Sequence, residues 1–103
     1  MAITLKHIVI WKLKEHAEGA DKLTNARNLK TLLDSCARLV PGILKFDAVI
    51  AQEGLEATYD VILNIEFDSR AALNAYQVHP THVAIKAFVG AVREARQCFD
   101  YEN

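Results

Sequence analysis

The residues best suited to chemistry cluster in residues 75–84, which have the sequence AYQVHPTHVA. This segment holds two of the chain's four histidines together with Tyr76. A neutral imidazole can take a proton from the carbon next to a carbonyl, and a phenol can donate to the oxygen as it becomes an enolate. We therefore expect Tyr76 and His82 to form a catalytic pair, with His82 as the base and Tyr76 as the donor.

The same segment contains a predicted helix boundary. A proline ring disfavours the helical conformation at the preceding residue, so one helix should end at His79. Pro80 then suits the first position of the next helix, where its missing N–H is not needed. A structural alternative therefore exists for His79, whose side chain would bind backbone at the corner. Tyr76 has one too, as a core residue with its hydroxyl at the rim.

A third histidine lies in a predicted strand at residues 3–13. Side chains alternate there between two faces, and His7 is the only polar residue on the apolar face. His7 is either a core histidine satisfied by one partner or a tentative third catalytic residue that orients the pair. If helices cover this face, a ligand pocket should form beside it. We expect the pocket to be lined by Val9, Trp11, His79 and Val83.

The elements that must position these residues follow from hydrophobic periodicity and turn residues. Strands are predicted at residues 3–13, 43–51, 59–67 and 96–102, and helices at residues 20–39, 69–78 and from Pro80 onward. The expected apolar positions include Leu23 in the first helix, Leu44, Phe46, Ala48 and Ile50 in the second strand, and Val83, Ala87, Phe88, Ala91 and Val92 in the last helix. This order predicts one α+β domain over residues 1–103, a ferredoxin-like split βαβ protomer. Its four-stranded antiparallel sheet should carry helices on one face.

The open face of that sheet predicts self-association. It should carry isoleucines mixed with opposite charges, such as Ile8, Ile10 and Ile62 beside Lys6 and Glu66. Branched aliphatics in a contiguous exposed patch favour association, so we expect a homodimer through this face. The alternative is a solvated face that tolerates a few isoleucines.

Composition excludes several other classes of protein. The chain has 103 residues, of which 51% are hydrophobic. Its 12 basic and 13 acidic side chains give a net charge of −1. This globular composition has no basic patch for nucleic acid and no apolar stretch of the roughly 20 residues that a membrane span needs. Without a visible signal peptide we expect a cytoplasmic protein, in which Cys36 and Cys98 are buried free thiols.

The histidine spacing is also compatible with a metal site. His79 and His82 are two residues apart, and His7 would complete a three-histidine set. Pro80 prevents a regular helix from presenting the first two as an i, i+4 pair, and no carboxylate lies nearby in sequence. We therefore expect neither a metal nor a cofactor.

Motifs along nearly the whole chain resemble one known family. They are KHIVIWKLK at residues 6–14, VPG at 40–42, YD at 59–60, EFDS at 66–69, ALNAYQVHPTH at 72–82 and FDYE at 99–102. Together they resemble the stress-responsive dimeric α/β-barrel domain family, with Y-x-x-H-P-x-H as the most specific element. The resemblance implies a ferredoxin-like protomer, a homodimer whose two sheets close into a barrel, and a pocket between sheet and helices in each subunit.

One branch of that family contains a polyketide cyclase that performs an intramolecular aldol cyclisation without a cofactor. Its catalytic tyrosine and histidine match Tyr76 and His82, and its other two histidines match His7 and His79. The cyclase lines its pocket with aromatic residues of the long first helix. This chain has Leu23, Ala26 and Arg27 there instead, so the resemblance does not carry the cyclase's substrate over.

Three functions remain open from the sequence. The first is a cofactor-independent lyase, cyclase or isomerase that acts on a small, largely apolar carbonyl compound. The second is a non-catalytic dimer that binds a small molecule or protects against stress. The third is a heme- or metal-linked monooxygenase of the wider dimeric α/β-barrel superfamily, which the lack of a metal-ligand cluster disfavours.

Overall fold

An antiparallel sheet with helices against one face forms the framework of the protein. The computed structural model describes residues 3–103, and the sheet order is β4-β5-β1-β6. The elements are β1 (Leu5–Leu13), β2 (His16–Ala17), β3 (Ala20–Asp21), α1 (Lys22–Asp34), β4 (Ile43–Ile50), β5 (Val61–Phe67), α2 (Arg70–Val78), α3 (Pro80–Val92) and β6 (Arg93–Glu102). The predicted α+β class and ferredoxin-like order are confirmed.

The central strand β1 behaves as its alternation predicts. It pairs antiparallel with β5 on one side and β6 on the other. Its helix-facing side chains are all buried: Leu5, His7, Val9, Trp11 and Leu13. Ile3, which precedes the strand, is 63% exposed and takes no part in this face. Period-two patterning therefore places His7 against the helices.

A β-bulge interrupts β4 and corrects one expectation. Ile43 pairs with Phe67 while Lys45 pairs with its neighbour Glu66, so Leu44 is an extra residue in the ladder. Leu44 is consequently 52% exposed instead of facing the core. The predicted inner positions that follow the bulge keep their face, and Ala48 is buried.

Helix α1 is shorter than predicted at both ends, because a hairpin precedes it and turns replace the helix after Asp34. Glu18 and Gly19 both have positive φ, 51° and 72°, and form the tight turn between β2 and β3. Leu23 is 49% exposed, which corrects its predicted place on the apolar side. The buried stripe includes Asn25 instead, whose amide donates to the Ala17 carbonyl at 2.9 Å and ties the hairpin to the helix.

The corner between α2 and α3 forms where Pro80 predicts it. Helix α2 begins after Ser69, whose hydroxyl accepts from the Ala72 N–H at 3.1 Å, and ends at Val78. His79 is extended, with φ −63° and ψ 135°, and Pro80 opens α3. The predicted helix boundary at this corner is confirmed.

The face of α3 that meets the sheet differs from the prediction. Ile85 and Val92 are buried, and Phe88 and Val89 are partly buried against the core. Val83 is 46% exposed, and Ala87 is exposed as well. The buried positions are spaced i, i+3, i+4 and i+7, so the apolar stripe is rotated from the predicted one.

Strand β6 begins at Arg93, three residues before the predicted start, and lies at the edge of the sheet. Its side chains are almost all exposed, because it is an edge strand and the helices pack chiefly against β4, β5 and β1. Cys98 is therefore exposed, which corrects the expectation of two buried thiols, while Cys36 is buried as expected. Among the described residues, no helix is both long and apolar enough to cross a membrane.

Candidate functional site

A cavity of about 580 Å³ lies between the inner face of the sheet and α3. Its apolar wall includes Val9, Trp11, Leu33, Leu63, Ile85 and Val89. Its polar lining consists of His7, Gln77, His82, Lys86, Arg93 and Arg96. This volume and this mixture of many apolar groups with a few polar ones are typical of small-molecule sites.

His82 is held in the cavity wall by the α2–α3 corner. It lies in the first turn of α3, and its Nδ1 is 3.1 Å from the carbonyl oxygen of Gln77, the penultimate residue of α2. Because a carbonyl oxygen only accepts hydrogen bonds, Nδ1–H is the donor. In the neutral ring Nε2 is then the basic nitrogen, which is the state that a general base requires.

The electrostatic environment keeps His82 neutral. Burial lowers the pKa of His82 below its ordinary value, and the charges of Lys86, His7 and Arg96 lower it further. The hydrogen bond to Gln77 acts in the opposite direction but is outweighed. A histidine with a lowered pKa is deprotonated at neutral pH and can accept a proton.

His7 is buried and has one carboxylate partner. Its side chain is 5% exposed, and its Nδ1–H donates to Asp100 Oδ1 at 2.6 Å. The two residues face each other in the register between β1 and β6. Sequence reasoning missed Asp100. The alternation of residues 98–101 would have placed it on the inner face had the pairing of first and last strands been assumed.

Tyr76 contacts both histidines through its ring but does not line the cavity. Its ring centroid is 4.6 Å from that of His82 and 6.5 Å from that of His7, and the residue is 0% exposed. Among the described residues its hydroxyl has no hydrogen-bond partner. Burial raises the pKa of this phenol far above its ordinary range.

Two of the four residues expected to line the pocket do so, and two do not. Val9 and Trp11 line the cavity, whereas His79 and Val83 do not. His79 Nδ1 instead accepts a hydrogen bond from the Thr81 N–H at 3.2 Å, which caps α3 at the corner. Val83 follows His82 on α3, and the rotation of that helix turns its side chain to solvent.

Three cavity cations were not singled out from the sequence. They are Lys86 on α3 and Arg93 and Arg96 at the start of β6. Exposed lysine and arginine side chains are typical of any solvated surface, so their residue types alone gave no signal. Only the packing of α3 over β1 shows that all three border one cavity.

Within residues 3–103, no group of three or more His, Cys, Asp or Glu side chains could hold a metal ion. The three histidines considered as metal ligands make other contacts: Nδ1 of His7 with Asp100, of His79 with Thr81 and of His82 with Gln77.

Solved structures share this fold along the whole chain. A dimeric protein of unknown function with a ferredoxin-like fold from Bacteroides fragilis NCTC 9343 is 29% identical, with a TM-score of 0.81 over 97% of this chain and 96% of that chain. A Dabb family protein from Mesorhizobium loti MAFF303099 is 24% identical, with a TM-score of 0.71 over 96% and 95%. A hydroxynitrile lyase from Passiflora edulis is 14% identical, with a TM-score of 0.76 over 100% and 95%.

A search of curated protein sequences found no match. The profile of the stress responsive A/B barrel domain (Dabb), in contrast, matches residues 5–103. That match spans every strand and helix described above, including the α2–α3 corner and the cavity. This chain belongs to the stress responsive A/B barrel domain family.

Proposed function

We propose that the protein is a cofactor-independent lyase, cyclase or isomerase that acts on a small, largely apolar carbonyl compound. The observation that carries the proposal is the state of His82. Its Nδ1–H donates to Gln77, its Nε2 is left basic, and its ring forms part of the wall of an apolar cavity. A neutral base beside apolar surface suits removal of a proton from carbon.

The first step follows from these groups. His82 Nε2 takes a proton from the carbon next to the substrate carbonyl, and the C–H electron pair becomes the new C=C bond of an enolate. The enolate oxygen then needs a hydrogen-bond donor. Aldol cyclisation and isomerisation proceed from this enolate, and the reverse aldol cleavage releases it, which explains why these three reactions are grouped.

The donor in this proposal is His7 rather than Tyr76. His7 lines the cavity, and its Nδ1–H donates to Asp100, so Nε2 is the ring nitrogen left for a ligand oxygen, to which it donates when the ring carries a hydrogen on both nitrogens. Tyr76 has its hydroxyl buried outside the cavity lining and packs its ring on His82. We therefore assign Tyr76 a positioning role, in place of the donor role expected from the sequence.

The Passiflora hydroxynitrile lyase gives limited support. It has the same fold, so lyase activity occurs in a protein of this shape. At 14% identity the likeness extends to the fold alone and carries no residue roles. The proposal therefore depends on the cavity of this chain.

Proton abstraction can be tested without the natural substrate. In D2O, the protein should accelerate the exchange of the α-protons of 4-phenylbutan-2-one for deuterium. The loss of the α-proton NMR signals measures this exchange. His82→Gln should slow this exchange by a factor on the order of 100 or more, because it removes the base. The matched control is His16→Gln, since His16 is exposed and outside the cavity. Unaccelerated exchange with the wild type, or full activity of His82→Gln, would contradict the proposal.

Tyr76→Phe separates positioning from donation. If Tyr76 acts through its ring, this variant keeps most of the exchange rate and Tyr76→Ala loses it. The hydroxyl is buried without a hydrogen-bond partner among the described residues. Its removal should therefore leave the free energy of unfolding unchanged or raise it by up to about 1 kcal/mol. A large loss of rate in Tyr76→Phe would return the donor role to the phenol.

A non-catalytic binding or stress-protective dimer is the second candidate function. The capping bond of His79 favours it, because this part of the most specific sequence motif is structural. His79→Ala should then lower the melting temperature without altering ligand affinity. Absence of α-proton exchange together with saturable ligand binding would favour this candidate over the enzyme.

We also propose that two copies pair through the open face of the sheet. Ile8 faces Phe99 and Ile10 faces Ile62 in the strand register, and Phe99 is 68% exposed. An aromatic and aliphatic patch of this kind favours a second copy over water. The Bacteroides neighbour is described as dimeric, which supports the same state here. Phe99→Glu should give a monomer in sedimentation at micromolar concentration, whereas Val78→Glu on α2 should not.

A cytoplasmic location completes the proposal. Cys36 and Cys98 are both free, and Cys98 is exposed. An exposed thiol remains reduced in a compartment rich in glutathione and thioredoxin. Fractionation of cells that express the full chain should recover it with cytoplasmic markers, and its recovery in a secreted fraction would contradict this part.

A further inference from the structure

We infer that the ligand of the cavity is an apolar carboxylic acid that carries its reacting carbonyl as a separate group, and that its carboxylate is bound at the mouth by Lys86, Arg93 and Arg96. The inference builds on the proposed function by naming a substrate class for the same cavity. The binding it describes needs no catalysis, so the two claims can fail separately.

The three cations reach the cavity from two different elements. Lys86 lies one turn after His82 on α3, so both side chains project from the same side of that helix. Arg93 ends α3 and begins β6, and Arg96 follows within β6. All three line the cavity, and no Asp or Glu of the described residues does. A chain with a net charge of −1 thus concentrates positive charge at one opening.

These cations have no carboxylate partner among residues 3–103. The ion pairs of the described chain, with N···O distances up to 4.0 Å, involve Lys6, Lys12, Lys22, Lys30 and Arg70, besides His7. The guanidinium groups of Arg93 and Arg96 and the ammonium of Lys86 remain available. A guanidinium matches a carboxylate in shape and can donate two parallel hydrogen bonds to it.

The interior of the cavity suits an apolar body. Val9, Leu33, Leu63 and Ile85 form much of its wall, and the volume of about 580 Å³ is in the range of small-molecule pockets. Trp11 lies beside Arg96 in the β1–β6 register, and its indole N–H has no acceptor among the described residues. An acid with an apolar chain or ring would place carbon in the interior and oxygen among the donors at the mouth.

A matched pair of probes tests the charge. Calorimetric titration should show that 4-phenylbutanoate binds about tenfold more tightly than 4-phenylbutanamide, which has the same shape without the charge. The preference should shrink as salt is raised, because ions screen exposed charges. Trp11 is the only tryptophan of the chain and lines the cavity, so a change in its fluorescence locates the bound probe.

Variants then assign the preference to the three cations. Lys86→Gln, Arg93→Gln and Arg96→Gln should each weaken acid binding roughly twofold and leave amide binding unchanged, and the triple variant should bind both probes equally. Arg38→Gln, which removes a cation outside the cavity, is the control.

Equal affinities in the wild type, no saturable binding of the acid, or equal losses for both probes would overturn the inference. His82→Gln should retain the acid preference. If it does so and yet exchanges α-protons at the wild-type rate, the proposed base fails while the anion site stands.

Discussion

The inner face of the sheet has a closely packed half, called the solid half below, and a half that borders the cavity, called the hollow half. Over β5 and under α2, Ile65, Phe67 and Tyr76 are each 0% exposed and form part of the hydrophobic core. Over β1 and β6, the same face borders the cavity beneath α3. The closely packed half therefore positions His82 through the end of α2, while the other half leaves room for a ligand next to it.

The solid half should respond most strongly to added volume. Gly42 has φ +95°, and a Cβ there would lie 2.5 Å from Asp68 Oδ1 and 2.8 Å from Ala72 Cβ. Gly42→Ala combines a left-handed backbone with overpacking, so it should lower the free energy of unfolding by about 2–4 kcal/mol. Urea denaturation measures this loss.

Gly54→Ala provides the control for backbone strain. Gly54 also has positive φ, +84°, but a Cβ there would meet no atom within 4 Å. Gly54→Ala should lower the free energy of unfolding by only about 1 kcal/mol, because only the left-handed conformation opposes the substitution. Equal losses in the two variants would show that packing at Gly42 is looser than the structure indicates.

The hollow half depends on a polar contact at its edge. Asp100→Ala removes the partner of His7 Nδ1–H and leaves a donor on a buried ring. Because Asp100 is 39% exposed, water can replace part of the contact, and the expected cost is about 1–2 kcal/mol. Thermal unfolding followed by circular dichroism measures it. Asp100→Asn keeps an acceptor and should cost less; an equal cost would point to charge rather than hydrogen bonding.

Glycine in the hollow half should behave in the opposite way to Gly42. Gly90 lies within α3, lines the cavity, and would place a Cβ in open space. Gly90→Ala should raise the free energy of unfolding by about 0.5–1 kcal/mol, since alanine favours the helix. The same urea titration measures this gain, and a loss would mean that α3 packs more closely on the sheet than the cavity implies.

Sequence patterns predicted local features better than features that depend on strand pairing. Alternation in β1 placed His7 inside, and Pro80 marked the corner, because both effects are local. The exposure of Leu44 and Cys98 was missed because it depends on a bulge and on which strand lies at the sheet edge. Those are matters of pairing between distant segments.

The candidate site shows the same division. His82 and Trp11 were expected from their residue types and are placed in the cavity wall. Asp100 required the register between the first and last strands, and the cations required the rotation of α3 about its axis. A one-position change in that rotation would turn Lys86 to solvent and Val83 toward the sheet, and a short amphipathic pattern does not distinguish these arrangements.

The smallest expected effect is a pH dependence of stability that comes from His82, which lies at the boundary between the two halves. The pKa of His82 is lowered in the folded chain, chiefly by burial, from its ordinary value of about 6.5. Between the two pKa values the unfolded chain binds more protons, so stability rises with pH there. The stability that comes from keeping His82 neutral is fully present above about pH 6.5 and is lost as the pH falls toward the lowered pKa of the folded chain.

The melting temperature should therefore fall between pH 7.5 and pH 5.5, and His82→Gln should reduce that fall. The three groups whose charges lower the pKa of His82, namely Lys86, His7 and Arg96, remain in the variant, so the difference between the two profiles isolates the imidazole. His16→Gln, at an exposed histidine, should follow the wild-type profile. If the His82→Gln profile also coincides with that of the wild type, His82 is as well solvated as a free histidine. It would then belong to the open mouth of the cavity and not to its boundary with the solid half.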